Sequence, residues 1–230
     1  MIIGKSQYKK YLSNFLESNS NYEFALENFN LKIEEDESHI VNNTAMASVV
    51  FLDIYDFSNK IKSLNLDSPD KIVSYLRKYY NEVFYCIDEY GGRIDRVMGD
   101  GIIAVFSDIF VNRNSKYNDI FKDAYFCCRE IIGLLQNTYY EAKAAISLGE
   151  LNFCEILSSN YCEITCIGEP LTVVYRLEKE ADKNEILFLE DIPDNFTNPA
   201  SMWMDNSNNT PVYLKGIGRY CIKRLKIIDK

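Results

Sequence analysis

Two aspartates interrupt apolar runs where a carboxylate is out of place. Asp53 stands near the end of "SVVFLDIYDFS", and Asp100 falls in the tight connection inside "GGRIDRVMGDGIIAVF", residues 91 to 106. Alone, Asp53 reads as a strand-edge residue facing water. Side by side, two carboxylates repel, so they share either a proton or cations. With no histidine or lysine close in sequence to neutralise them, hard divalent ions are the natural solution, and Asp, Asp and a backbone carbonyl suit Mg²⁺ or Mn²⁺. A pair of such ions lowers the pKa of an attacking hydroxyl and steadies a leaving pyrophosphate, which is phosphoryl-transfer chemistry on a nucleoside triphosphate.

The surrounding elements must bring the two acids together. The β-branched and aromatic residues of "SVVFLDIYDFS" predict a strand. In "DSPDKIVSYLRKYYNEVFYCIDEYGG", Ser68 is an N-cap, Pro69 the first helical residue, and Ile72, Leu76, Tyr79, Val83 and Ile87 a helical stripe that Gly91 closes. Two short strands, "RIDRVM" and "GIIAVFS", then meet through Gly99 and Asp100. A second helix over residues 117–138 carries Ile120, Ala124, Cys127, Ile131 and Leu135 on one face. Further on come "AKAAISLGELNFCEI" as a strand or hairpin, a helix from Pro170, the strand "NEILFLEDI" and a closing hairpin in "TPVYLKGIGRYCIKRLKI". The order β, α, β, β, α, β is that of a ferredoxin-like split βαβ core, an α+β fold with extra C-terminal strands. In that sheet the first strand lies beside the third, so Asp53 and Asp100 converge at one end.

Residues 5–17 space Tyr8, Tyr11, Leu12, Phe15 and Leu16 as a helix, followed by a polar stretch; the chain divides into an N-terminal helix and tether at 1–46 and a main domain at 47–230. The polar excursion at 194–210 shows no period. With 47% hydrophobic residues among 230, a buried core is affordable, and a net charge of -9 supplies no broad basic surface for nucleic acid or anionic membrane. Seven cysteines, odd in number and without CxxC spacing, read as reduced thiols of a cytosolic protein. Neither a signal peptide nor an apolar run of membrane-spanning length is evident, so a cytoplasmic location is expected. His39, the single histidine, sits in "EEDESHIVNN", which disfavours a Ser-His-Asp triad.

Three ordered blocks resemble the class III nucleotidyl cyclases. "FLDIYDFS" is similar to their FxDIxxF(T/S) signature, "GGRIDRVMGDGIIAVF" to their GGxxxKxxGD segment, and "IGEPLTVVYRLEKEA" to their WGxxVNxAxRLE helix. The resemblance covers about residues 47–228. It implies that Asp53, Asp100 and the Ile54 carbonyl hold two divalent metal ions, Mn²⁺ or Mg²⁺, and that the amides of Ile54, Tyr55, Asp56, Phe57 and Ser58 cradle the β- and γ-phosphates. It places Lys143 and Lys215 at phosphate-binding positions, and Arg176 at the arginine that steadies the α-phosphate as the 3'-hydroxyl attacks. Thr172 replaces the family's asparagine, and Ile167 its tryptophan. A head-to-tail homodimer with active sites at the interface follows from the same resemblance.

The base-reading positions depart from both purine codes. Adenylate cyclases place lysine and aspartate where this chain has Arg96 and Thr165, and guanylate cyclases typically place glutamate and cysteine. A guanidinium only donates, and its longer arm reaches a smaller base; uracil offers two carbonyls, while the Thr165 hydroxyl serves either pyrimidine. The chain resembles the pyrimidine cyclases of bacterial Pycsar anti-phage systems, which implies cUMP synthesis from UTP, with CTP as the other pyrimidine, and a separate effector that the product switches on. Tyr55 packs near the ribose or base, or faces the core. The alternatives are an adenylate cyclase with an altered pocket and a catalytically silent nucleotide-binding module, against which both aspartates and Arg176 argue. An RNA-binding domain of the same fold is disfavoured by the acidic balance.

Overall fold

The computed structural model describes residues 40–110, 113–158, 161–190 and 211–227. The expected N-terminal helix, most of the tether, His39 and the polar excursion at 194–210 lie outside them. The chain forms two compact units, a smaller one of Met1–Thr44 with Asn152–Ile167 and a larger one of Ala45–Leu151 with Gly168–Lys230.

Strand β1 (Asn43–Ile54) is buried at every position from Ala47 to Leu52, as befits a strand with neighbours on both sides. It starts four residues before the boundary expected from the sequence and stops earlier than expected: at Asp56 the backbone turns left-handed (φ 57) and a short helix, α1 (Phe57–Ser63), begins. The aromatic and β-branched composition of "IYDFS" suits a strand, but the Asp56 carboxylate accepts from Asn59 Nδ2 at 2.8 and 3.0 Å and fixes the bend instead.

Helix α2 (Pro69–Glu89) follows its sequence signals closely. Ser68 Oγ accepts the Lys71 N–H, Pro69 opens the helix, and the buried stripe is Tyr75, Leu76, Tyr79, Val83, Cys86 and Ile87, with Ile72 only partly covered. Its end is a Schellman motif. Gly91, at φ 72, donates to Asp88 O, and Gly92 reaches back to Ile87 O.

Strands β2 (Arg93–Met98) and β3 (Gly101–Ser107) form a hairpin closed by Gly99 and Asp100, with Gly99 at φ 64, the conformation a two-residue loop favours at its first position. Helix α3 (Ile120–Leu135) is capped by Asp119, whose carboxylate accepts the Phe121 and Lys122 N–H groups. Strand β4 (Ala142–Ser158) runs as one long strand rather than a self-contained hairpin, and β5 (Tyr161–Ile167), which the sequence did not signal, pairs with its distal half. Helix α4 (Glu169–Glu180), β6 (Glu185–Leu189), β7 (Pro211–Leu214) and β8 (Gly218–Lys226) complete the chain.

The sheet of the larger unit has the order β2-β3-β1-β4-β6-β8-β7. Its first four strands carry the ferredoxin-like arrangement, with β1 antiparallel to β3 in the register Leu52 opposite Ile102. Val50, Leu52 and Ile54 of β1 join the core with α2 and α3, so Phe51 and Asp53 point to the opposite face by strand alternation. Among the described residues, no helix is long and apolar enough to cross a membrane.

Gly101 is where core packing meets the Asp100 turn. A Cβ there would stand 2.7 Å from Phe51 Cε2, and Phe51 is itself held edge-on by Tyr175 at 5.2 Å between centroids. Gly101→Ala is expected to cost about 1–3 kcal/mol of stability by urea unfolding, since the ring has little room to retreat.

Candidate active site

Strand β1 delivers Asp53 at its last turn of pleat, and the β2–β3 hairpin delivers Asp100 one strand away. The two carboxyl groups are close enough for each to act on the other's ionisation, and that interaction favours a proton on Asp53. Burial first, then the Asp100 and Glu178 charges, pushes Asp53 up to about 8, against the opposing pull of Lys143. Asp100 is raised as well, chiefly by burial. Tyr80 of α2 ties the turn down by donating its hydroxyl to Gly99 O. The neighbouring Tyr79 is wholly buried, and its hydroxyl has no hydrogen-bond partner among the described residues; the charges of Asp53 and Asp100 add to burial in raising it.

Among the described residues, no group of three or more His, Cys, Asp or Glu is arranged to hold a metal ion. Two hard carboxylate donors that repel each other, with the Ile54 carbonyl next in chain, fit a cation that keeps other positions for water or phosphate oxygens.

Helix α4 presents two separate faces. Residues two apart on a helix point about 200° apart, so Glu178 and Arg176 cannot serve one place. Glu178 faces β4, where it pairs with Lys143 at 2.8 Å, both side chains largely buried, and it lies within electrostatic reach of Asp53 and Asp100. Tyr175, on the same side, packs on Phe51 and donates its hydroxyl to Met98 Sδ at 3.4 Å. Arg176 instead lines a cavity with Lys215 of the β7–β8 turn, and its buried Nε has no acceptor among the described residues. Thr172, one turn earlier on the Arg176 side, is exposed. Ser147 Oγ anchors the helix start through Pro170 O at 2.6 Å, and Arg224 Nη2 its end through Glu180 O at 3.0 Å.

The expected phosphate loop is narrower than the resemblance implies. The Tyr55 N–H is donated to Glu141 O at 2.8 Å, which removes it from any cradle; Phe57 and Ser58 stand in the first turn of α1, where a helix has no internal acceptor for their amides. Nor does the Tyr55 ring behave as expected. The neighbouring Asp182 pushes its phenol up, and the side chain is only partly buried, so it does not face the core. Lys143 reaches Glu178 rather than standing alone.

Arg96 lies just past a bulge in β2, between Ile94 and Arg96 in the pairing with β3, and its Nε donates to Asp95 at 2.5 Å. Thr165, in the smaller unit, sits on β5 opposite Cys154. The sequence pointed to no site role for Glu178, Tyr80 or Lys179, and placed Tyr79 only in the apolar stripe of α2. Glu178 was visible inside the "RLE" triplet, but its partner lies 35 residues away on another element.

As a sequence, the chain matches no family model and no curated protein. Solved structures that share its fold include nucleotidyl cyclases. The adenylyl cyclase CyaB from P. aeruginosa superposes with a TM-score of 0.65 at 19% identity, over 82% of this chain and 96% of that one. The guanylate cyclase domain of RhGC from Catenaria anguillulae in complex with GTP gives 0.61 at 16% identity, over 81% and 100%. A dimeric guanylyl cyclase domain of the RhoGC fusion protein from Blastocladiella emersonii gives 0.60 at 14%, over 80% and 97%. The fold of this chain is that of class III cyclase catalytic domains.

The carboxyl pair makes stability depend on pH in a defined direction. Because the folded value of Asp53, about 8, exceeds the ordinary 3.8, its contribution is fully present below 3.8 and lost as pH rises through about 8. In chelator, the melting temperature is expected to fall between about pH 4 and pH 8, and Asp53→Asn to flatten that slope, as followed by thermal denaturation at each pH.

Proposed function

We propose that this protein is a nucleotidyl cyclase that converts a pyrimidine nucleoside triphosphate, UTP before CTP, to its 3',5'-cyclic nucleotide and pyrophosphate. The observation that carries the reading is the meeting of Asp53 and Asp100 at one end of a cyclase-fold sheet, where burial and then the Asp100 charge raise Asp53 to about 8. Two divalent cations, Mg²⁺ or Mn²⁺, held by Asp53, Asp100 and the Ile54 carbonyl, would lower the pKa of the 3'-hydroxyl and neutralise the departing pyrophosphate.

The chain's own residues do the rest. The 3'-oxygen forms a bond to the α-phosphorus as the bond to the β-phosphate bridging oxygen breaks, and the hydroxyl proton passes to solvent. Arg176, with its Nε lacking an acceptor, donates to the α-phosphate where negative charge grows. Lys215 holds the tail from the β7–β8 turn, the Phe57 and Ser58 amides receive phosphate oxygens, and Thr172 offers its hydroxyl beside Arg176. Lys143 exchanges Glu178 for phosphate or stays as a fixed counter-charge. Either role keeps a cation beside the carboxylates.

A single chain places Arg176 and Glu178 on opposite sides of α4, so the cationic cavity faces away from the carboxylates that Glu178 approaches. A head-to-tail homodimer resolves this by pairing the acidic half of one protomer with the cationic half of its partner. Base choice falls to Arg96, whose guanidinium plane Asp95 steadies, with Thr165 as its companion. Two carbonyls of uracil suit donors that never accept. The role in anti-phage defence, through an effector that the cyclic nucleotide switches on, rests on the resemblance to Pycsar cyclases.

Incubation with each of the four triphosphates and Mn²⁺ is the direct test. UTP should give the most cyclic product, and Arg96→Lys combined with Thr165→Asp should shift the preference toward ATP; product from ATP alone in the unaltered protein would sink the pyrimidine assignment. Dimeric sharing has its own check. Asp53→Ala and Arg176→Ala chains, each inactive, should recover up to about a quarter of full activity when mixed and allowed to exchange, because half the dimers then hold one intact site. No recovery, with exchange demonstrated, would place the whole site within one protomer.

A further inference from the structure

We infer that Lys179 is a third cation of the cavity that receives the polyphosphate tail, a substrate contact in addition to Arg176 and Lys215. The identity of the ligand rests on the cyclase reading; the cavity itself does not. It measures about 190 Å³ and is lined by Arg176, Lys179, Glu180, Tyr213, Leu214 and Lys215. Pockets that take a whole drug-sized ligand run to roughly 300–1,000 Å³, so this one holds part of a nucleotide rather than all of it. Its charge says which part. Three cations against Glu180 favour an anionic group, not a base.

Helical geometry puts Lys179 in the right place. Three residues after Arg176 it lies about 60° around the helix and roughly 4.5 Å along it, on the same face. The end of α4 that carries it is fixed by Arg224 Nη2, which donates to Glu180 O at 3.0 Å, and by the Ala181 N–H, which donates to Glu178 O at 3.1 Å. Across the cavity, Lys215 occupies the turn where Gly216 adopts φ 82 and Ile217 donates to Leu214 O. The second, independent sign of a ligand is Arg176 Nε, buried without an acceptor, a cost that an oxyanion in the cavity would remove. The plain alternative is that Lys179 only complements the dipole at the C-terminal turn of α4. That role would affect melting slightly and anion binding not at all.

The probe is inorganic tripolyphosphate, titrated calorimetrically into the full chain in chelator, without divalent ions. Lys179→Ala should weaken binding about tenfold, the lower end of what a charged hydrogen bond supplies, and Lys179→Arg should restore it to within about twofold. Lys215→Ala serves as the companion variant, with melting temperatures confirming that each protein folds. In turnover assays, Lys179→Ala should raise KM about tenfold while kcat stays within about threefold. If Lys215→Ala weakens tripolyphosphate binding and Lys179→Ala does not, Lys179 is outside the site and the inference falls while the cyclase reading stands. If tripolyphosphate does not bind at all, the inference falls too. Turnover of the triphosphates then decides the cyclase reading separately.

Discussion

Two like charges set beside each other in a partly buried place are a liability that the rest of this domain is arranged to sustain. Asp53 near the end of β1 and Asp100 in the turn that opens β3 are held by a register that leaves little freedom to part them: β1 and β3 are locked side by side, β3 buried throughout and β1 from Ala47 to Leu52. Separating the acids would require slipping a central strand, which would move its apolar residues to the wrong face. Burial and the neighbouring charge therefore favour the protonated form, raising both carboxyls above their ordinary range. The same constraint makes the site receptive to hard cations.

The supports of the pair come from two directions. Tyr80 on α2 holds the Gly99 carbonyl, and Gly101 lets Phe51 lie against the turn without a Cβ in the way. From the other side, α4 contributes Tyr175 against Phe51 and Glu178 against Lys143. A buried ion pair such as Lys143–Glu178 adds little net stability, because desolvation offsets its attraction. Its effect is on position and field, keeping a cation next to the carboxylates and the α4 backbone against β4.

Helix α4 divides the chemistry between acid and base more than any other element. Its period places Glu178 with the carboxylates and Arg176 with the cavity, so one short helix turns its carboxylate and its guanidinium to different sides. That division is a physical argument for assembly, independent of the surface area any dimer would bury.

Local information lies on the chain itself and was readable: the Ser68 cap and Pro69 start of α2, its closure at Gly91, the hairpin at Gly99 and Asp100, and the β, α, β, β, α, β order that sets strand one beside strand three. The acids that interrupt apolar runs, Asp53 and Asp100, stood out in the sequence, whereas Arg176 was marked only by the resemblance to the cyclase helix motif. What no local pattern encodes is which side chains meet across elements. Asp182 claims Tyr55, Glu141 claims the Tyr55 amide, Glu178 claims Lys143, and Lys179 joins Lys215, each through partners tens of residues away. Propensity misled at "IYDFS", where a side-chain hydrogen bond from Asn59 to Asp56 outweighed the strand-like composition. Packing decided those contacts, because charge and hydrogen-bonding capacity are satisfied by whatever the folded chain brings near.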